Sequence, residues 1–143
     1  MSYVVDASVA VKWVVAEPET ADALEFLKRE RPKGLAAPDL LVAEVSNVVW
    51  KKVRRGEIDW LQALEAARRI GLTVTRFHPS RLLNRRATEI ALEVDHPVYD
   101  CLYLACAEAE NATLVSIDAR MTRKLAGTRY SAHVVDLSSA LTA

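Results

Sequence analysis

Short apolar runs and longer periodic stretches take turns along this chain, and the places where one gives way to the other carry most of its information. Tyr3-Val4-Val5 is a compact β-branched run that predicts a buried strand, and it stops at Asp6 before a helix over Ala7–Val14. Glu17-Pro18-Glu19-Thr20 breaks the chain ahead of a helix through about Glu30, with Ala23, Leu24 and Leu27 on one side and Lys28, Arg29 and Arg31 near its end. Leu35 to Ala37 reads as a second short strand. Pro38-Asp39 opens a long helix to about Arg55, closed by Gly56, and Ile58 to Ile70 forms another closed by Gly71. Leu72 to Thr75 alternates like a strand, Pro79 starts a helix through Glu93, and Val98 to Glu110 is a helix after Pro97. Thr113 to Ile117 is the second clear buried strand, ending at Asp118 before a helix over Ala119–Leu125. His133-Val134-Val135 makes a last strand.

Strands separated by helices, with connections too long for hairpins, predict an α/β chain: a three-layer α/β/α sandwich around a mostly parallel sheet of four to five strands. At 143 residues, with 51% hydrophobic residues and only 4 Gly and 5 Pro, residues 1–143 read as one domain able to bury a core. The 19 Lys+Arg and 19 Asp+Glu cancel, so the basic footprint of a protein that coats nucleic acid is missing. No apolar run approaches the ~20 residues of a membrane span. Met1 to Val5 lacks the pattern of a signal peptide, so a cytoplasmic location without membrane contact is the expectation. Cys101 and Cys106 lack CxxC spacing and read as reduced, partly buried residues; His78, His96 and His133 stand too far apart to suggest a zinc site or a triad. Carboxylates are the best-supplied reagents.

Ligands of an open parallel sheet bind beyond the carboxyl ends of its strands, and the two clearest strands each deliver an aspartate there. Asp6 follows Tyr3–Val5 and Asp118 follows Leu114–Ile117, and both also suit the N-cap of the helix that comes next. Glu44 borders the apolar stripe Leu41, Val45, Val48 and Val49 of its helix, where a glutamate snorkelling from the edge is the bland alternative. Asp100 sits near the start of its helix, which favours an acid, yet its neighbours Tyr103, Leu104 and Ala107 are apolar, so it needs a partner. Separate structural reasons explain these acids one at a time, whereas convergence on a hard cation explains all four. Two carboxylates ~4 Å apart repel by about 4 kcal/mol at an effective dielectric of ~20, so a cluster takes up protons or binds metal. Oxygen donors select Mg²⁺ or Mn²⁺, and such a centre suits phosphodiester hydrolysis.

At these residues the chain resembles PIN-domain proteins, specifically the VapC-type toxins of VapBC toxin–antitoxin pairs. Tyr3-Val4-Val5-Asp6-Ala7-Ser8, the Pro38–Asn47 segment, Tyr99-Asp100-Cys101-Leu102-Tyr103-Leu104-Ala105 and Leu114-Val115-Ser116-Ile117-Asp118-Ala119-Arg120 occur in that family's order and spacing. The resemblance implies a metal-dependent endoribonuclease in which Asp6, Glu44, Asp100 and Asp118 bind one or two Mg²⁺ or Mn²⁺ ions and hydrolyse RNA. It implies supporting roles for Ser8, Asn47 and Ser116 around the ligands, and sets Asp95 aside as a loop or cap residue. It further implies a homodimer, a cognate antitoxin that covers the acidic site, and promoter DNA bound only through the antitoxin.

Lys12, Arg85, Arg86, Arg120 and Arg123 are candidate contacts to an RNA backbone, although solvated helix faces explain such charges equally well, and Trp13, Val14, Val49, Trp50 and Trp60 are candidates for a partner surface, with core packing the commoner fate of most of them. The rival reading is a non-catalytic PIN-like module that binds protein or RNA. A haloacid-dehalogenase-type phosphatase fits less well, because Ser8 stands where its second Asp belongs; a receiver domain also fits less well, because Val4-Val5 supplies no clustered acids. Setting the four proposed ligands aside leaves 15 acids against 19 bases, a formal +4 around an acidic pocket, which reconciles neutral composition with a phosphate-bearing substrate.

Overall fold

In the computed structural model, which describes residues 1–143, five strands form one sheet in the order β3-β2-β1-β4-β5, every neighbouring pair parallel. In chain order the elements are β1 (Tyr3–Val5), α1 (Ala7–Val14), α2 (Thr20–Glu30), β2 (Leu35–Pro38), α3 (Leu40–Arg54), α4 (Trp60–Ile70), β3 (Arg76–His78), α5 (Ser80–Val94), α6 (Val98–Glu110), β4 (Thr113–Val115), α7 (Ala119–Leu125), β5 (Val134–Val135) and α8 (Leu137–Thr142). The expected sandwich is found, with a sheet that is wholly parallel. Helix α6, backed by α5, lies across β2, β1 and β4, while α1 gathers α2, α3 and α4, and α2 holds α8. Strands β1 and β2 are therefore buried along their whole length and read as continuous apolar runs. The core is one cluster of 38 buried residues, among them Phe26, Leu41, Ile90, Leu114 and Met121. No helix is long and apolar enough to cross a membrane.

Several boundaries move for identifiable reasons. The strand expected over Leu72–Thr75 forms at Arg76–His78 instead. The Thr75 hydroxyl accepts from Leu35 N at 2.7 Å, a bond the ladder would otherwise make, so pairing starts one residue later at Ala36 and Arg76. His133 belongs to a short 3-10 turn, its N–H bonded to Tyr130 O at 2.9 Å, and β5 starts at Val134. Past β4 one more backbone bond to β5 forms, Ser116 N to Val135 O at 3.1 Å, and then side-chain hydroxyls take the amides: Ile117 N donates to Ser8 Oγ and Asp118 N to Ser116 Oγ. Helix α4 starts at Trp60, two residues later than expected, fixed by a reciprocal cap between Asp59 and Gln62. Asp39 leaves α3 uncapped and holds the start of α5, accepting from Ser80 N at 3.0 Å. Gly71 ends α4 in an ordinary right-handed conformation, whereas Gly56 after α3 has φ +73°, where a side chain would be strained.

The chain runs from β1 outward to β2 and β3, then returns to the other side of β1 with β4 and β5. The strand order therefore reverses between β1 and β4. The crevice beyond the carboxyl ends of these two strands is the natural ligand site of the sheet.

Candidate functional site

Asp6 is the first residue past β1 and lies at this reversal, 5% exposed. Its Oδ1 accepts from Ser8 N at 3.0 Å and from Ser8 Oγ, which caps α1. Burial pushes its carboxyl up to about 6 against the lowering effect of bonds from Ser116 and Ser8, and the Asp100 charge adds to the rise. Ser116 is itself buried, and its hydroxyl oxygen accepts from Asp118 N at 3.0 Å. Ser8 and Ser116 thus stitch the end of β1 to the end of β4, with their hydroxyl oxygens 3.5 Å apart.

Glu44 comes from α3 and Asp100 from α6, both half-buried. The Tyr103 hydroxyl, one turn beyond Asp100 and buried, donates to Glu44 Oε1 at 2.5 Å. Burial raises the Glu44 carboxyl, Tyr103 opposes the rise, and the Asp100 charge reinforces it. The Tyr103 phenol is held protonated by burial and by the charges of Glu44, Asp6 and Asp100. Asp100 thus acts on Asp6, Glu44 and Tyr103 together, which draws three of the four expected acids into one field. No Lys or Arg is among the groups that act on Asp6 or Glu44.

Asp118 stands beside this trio. It caps α7 through Oδ1, which accepts from Arg120 N at 2.9 Å and Met121 N at 3.4 Å, with Arg120 Nε at 3.9 Å. It joins the others through its own amide and Ser116. Asn47 is exposed on α3 and makes no hydrogen bond to the acids. Asp95 ends α5 in a left-handed conformation and is exposed. No group of three or more Asp, Glu, His or Cys side chains stands close enough together to hold a metal ion.

Two participants escape a reading of the sequence. His96, at the turn before α6, brings Nε2 to 2.6 Å from Asp100 Oδ2. The signal was an i, i+4 spacing across Pro97, in a residue that looks isolated among three scattered histidines. Tyr103 counts as an apolar neighbour of Asp100 on a helical wheel, yet it is the polar tip of the ring that works. Of the five cations considered for an RNA backbone, Lys12 is buried and paired with Glu17, and Arg86 is taken up by Glu108, Glu89 and the Tyr130 hydroxyl. Arg85 is exposed with only Glu89 nearby at 3.5 Å, and Arg120 and Arg123 remain exposed on α7. Trp13, Val14 and Val49 belong to the core, whereas Trp50 and Trp60 are exposed and line a groove between α3 and α4 with Val53 and Leu64. Both cysteines are free and buried, and burial lifts their thiols to about 11 and about 12, well outside a reactive range.

Known proteins resemble this chain in sequence and fold. The Pyrobaculum aerophilum protein "Ribonuclease VapC3" is 28% identical over 126 residues, 87% of this chain and 95% of its own length. The crystal structure of PAE2754, also from Pyrobaculum aerophilum, superposes with a TM-score of 0.73 at 23% identity, covering 99% of this chain and 93% of that one. The structure of VapBC-1 from nontypeable Haemophilus influenzae superposes with a TM-score of 0.58 at 14% identity, covering 96% and 99%. These two structures attest the fold. The sequence profile described as "PIN domain" matches residues 3–126, spanning β1 through α7 and all four acids, and the chain belongs to the PIN-domain family.

Proposed function

We propose that this chain is a divalent-cation-dependent endoribonuclease, the toxin of a VapBC-type toxin–antitoxin pair. The observation that carries the reading is Asp6: a carboxylate buried at the strand-order reversal, in the field of Asp100, with no cation to compensate it. Burying such a group without a counter-charge is costly, and a hard cation is the partner an all-oxygen donor set selects. Mg²⁺ and Mn²⁺ keep most of their waters and take one or two protein carboxylates directly, so such an ion does not require three side-chain ligands. Asp6 and Asp100 would hold the ion, with Glu44 and Asp118 completing the acidic quartet. When bound, it supplies Lewis-acid polarisation of a phosphodiester and activation of a water.

The rest is work for the chain itself. Ser8 and Ser116 fix the Asp6 carboxylate in one orientation. Tyr103 holds Glu44, and His96 holds Asp100, leaving the other carboxylate oxygens for the crevice. Arg120, exposed beside Asp118, offers a guanidinium to a phosphate. An antitoxin partner is supported by the VapBC-1 likeness and by the exposed apolar groove of Trp50, Trp60 and Leu64. A homodimer, and promoter DNA bound through the antitoxin, complete the proposal.

The purified protein, freed of any bound partner, is expected to cleave single-stranded RNA with Mg²⁺ or Mn²⁺ and to stop in EDTA. Asp100→Asn is expected to lose cleavage with an unchanged far-UV circular dichroism spectrum. Cutting at the same rate in EDTA would overturn the metal dependence, and unimpaired cutting by Asp100→Asn would remove that residue from the reaction. His96→Ala is expected to lower activity by about 10–100-fold, and to raise the Mg²⁺ concentration needed for half-maximal rate, because it removes the group that orients Asp100. Titration of rate against Mg²⁺ checks this.

A further inference from the structure

A second pocket, of about 370 Å³, opens on the same edge of the sheet beyond β4 and β5. Its walls include Ser116, Thr122, Arg123, Asp136, Ser138 and Glu19. It adjoins the acidic crevice, because its wall residues Ile117 and Ala119 flank Asp118, and the hydroxyl of its wall residue Ser116 accepts from Asp118 N. Its volume is in the range of small-ligand clefts, ~300–1,000 Å³.

Most of its polar atoms are already used within the protein. Thr122 Oγ1 donates to Asp118 O at 3.1 Å, and Ser138 Oγ donates to Asp136 Oδ1 at 3.0 Å. Asp136 Oδ1 also accepts from Ser139 N at 2.7 Å, capping α8, and this bond is the main reason the carboxyl stays below its ordinary value. What remains free is specific: Asp136 Oδ2, the Glu19 carboxylate and the Arg123 guanidinium. Arg120 leans toward Asp118, but Arg123 has no carboxylate partner. Glu19 is held at φ +69° with its side chain in no capping bond, a strained backbone that sets it at this pocket's wall.

We infer that this pocket is a nucleotide subsite for the RNA residue next to the scissile phosphate, in which Arg123 binds the neighbouring phosphate and Asp136 accepts from the exocyclic amino group of the base. The inference rests on the ribonuclease reading above and adds to it a base preference. One cation suits one phosphate, and Arg presents a planar fork matched to its oxygens. Two carboxylate acceptors suit the amino groups of adenine, cytosine or guanine, whereas uracil offers them only its single N3–H and turns its carbonyl oxygens toward them. Unstacked single-stranded bases are read in this way, along their hydrogen-bonding edges.

The test measures fluorescence anisotropy of labelled oligoadenylate, oligocytidylate and oligouridylate octamers with Asp100→Asn protein in Mg²⁺, alongside cleavage of the same oligomers by the wild type. The parent is expected to bind the adenylate and cytidylate more tightly than the uridylate. Adding Arg123→Ala is expected to weaken binding of all three about tenfold and to flatten the slope of log affinity against log salt by about 0.7. Adding Asp136→Asn, which keeps a good cap for α8, is expected to erase the preference over uridylate. If the parent binds RNA and both variants match it in affinity, salt slope and base preference, the subsite is wrong and the nuclease reading stands. If the variants change binding as expected but the wild type cleaves nothing with either metal, the pocket stands as an RNA-binding site with a base preference, while its place beside a scissile phosphate falls together with the nuclease reading. Absence of both binding and cleavage overturns the two together.

Discussion

Asp6→Asn is expected to abolish RNA cleavage and, in the absence of divalent cation, to make the protein more stable. The two effects share one cause. Desolvation moves the Asp6 carboxyl from 3.8 to about 6, with Asp100 adding to the rise. The ionised side chain therefore opposes folding at about pH 7.5 by about 3 kcal/mol, from 1.36 kcal/mol per unit of displacement. Asparagine keeps an oxygen to accept from Ser8 N and Ser8 Oγ, and it carries no charge to desolvate. A rise in Tm of roughly 5–10 °C in EDTA follows for a chain of this size. Cleavage falls by more than about 100-fold, since even partners that only orient metal ligands are worth 10–100-fold. A variant that melts at or below the wild type in EDTA would show that Asp6 is not a strained charge.

The sign of the pH dependence is fixed by the same residue. A carboxyl whose folded value lies above its unfolded one contributes stability that is fully present below about pH 3.8 and is lost as pH rises through about 6. The cation-free wild type thus loses stability relative to Asp6→Asn between about pH 4 and 6 and stays lower above that, whereas the melting of Asp6→Asn lacks that step. Glu44, also raised chiefly by burial, adds in the same direction. In the proposed site saturating Mg²⁺ is expected to compensate the charges, so its stabilising effect should grow over the same window. Paired melts at successive pH values, with and without Mg²⁺, read this directly.

The parts of the site that were legible in the sequence are those whose cause is local. Asp6 and Asp118 announce themselves as acids that end apolar runs and cap the following helix, and the sheet puts both at the β1–β4 reversal. The helices follow from their punctuation, such as Pro79 and Pro97 at starts and Gly56 past an end. What was not legible depends on partners distant in sequence. Lys12 looks like a solvated charge until the chain folds over it; Arg86 is spent on Glu108, 22 residues away. Tyr103 needs Glu44 from another helix to reveal its hydroxyl as the working end. The shift of β3 turns on a single Thr75 hydroxyl that substitutes for a backbone group. Helix α8 is short and went unpredicted, although Asp136 caps it and Leu137 and Ala140 bury it against the body of the protein.

Glu17 is the residue whose loss is expected to cost the fold most outside the apolar core. Its two oxygens meet two nearly buried ammonium groups, Lys12 Nζ at 3.3 Å and Lys52 Nζ at 3.0 Å, whose side chains are each 10% exposed. Glu17→Ala leaves both charges poorly compensated. Removing one partner from a buried ionic cluster typically costs 3–5 kcal/mol. Lys12 keeps Pro18 O at 2.9 Å and Lys52 keeps Glu57 at 3.2 Å, so the lower end, about 3 kcal/mol, is expected. Glu57→Ala removes a more exposed acid and should cost about 1 kcal/mol or less. Urea unfolding of the two variants separates them, and a Glu17→Ala variant within about 0.5 kcal/mol of wild type would show the cluster to be neutral. The clamp also bears on activity, because Lys12 lies on α1, which Asp6 caps and which carries Ser8, and Lys52 lies on α3, which carries Glu44. Loosening α1 against α3 shifts the carboxylates that the proposed site brings to one ion. Glu17→Ala is therefore expected to need more Mg²⁺ for half-maximal cleavage even at temperatures where it remains fully folded, although Glu17 touches none of the four acids.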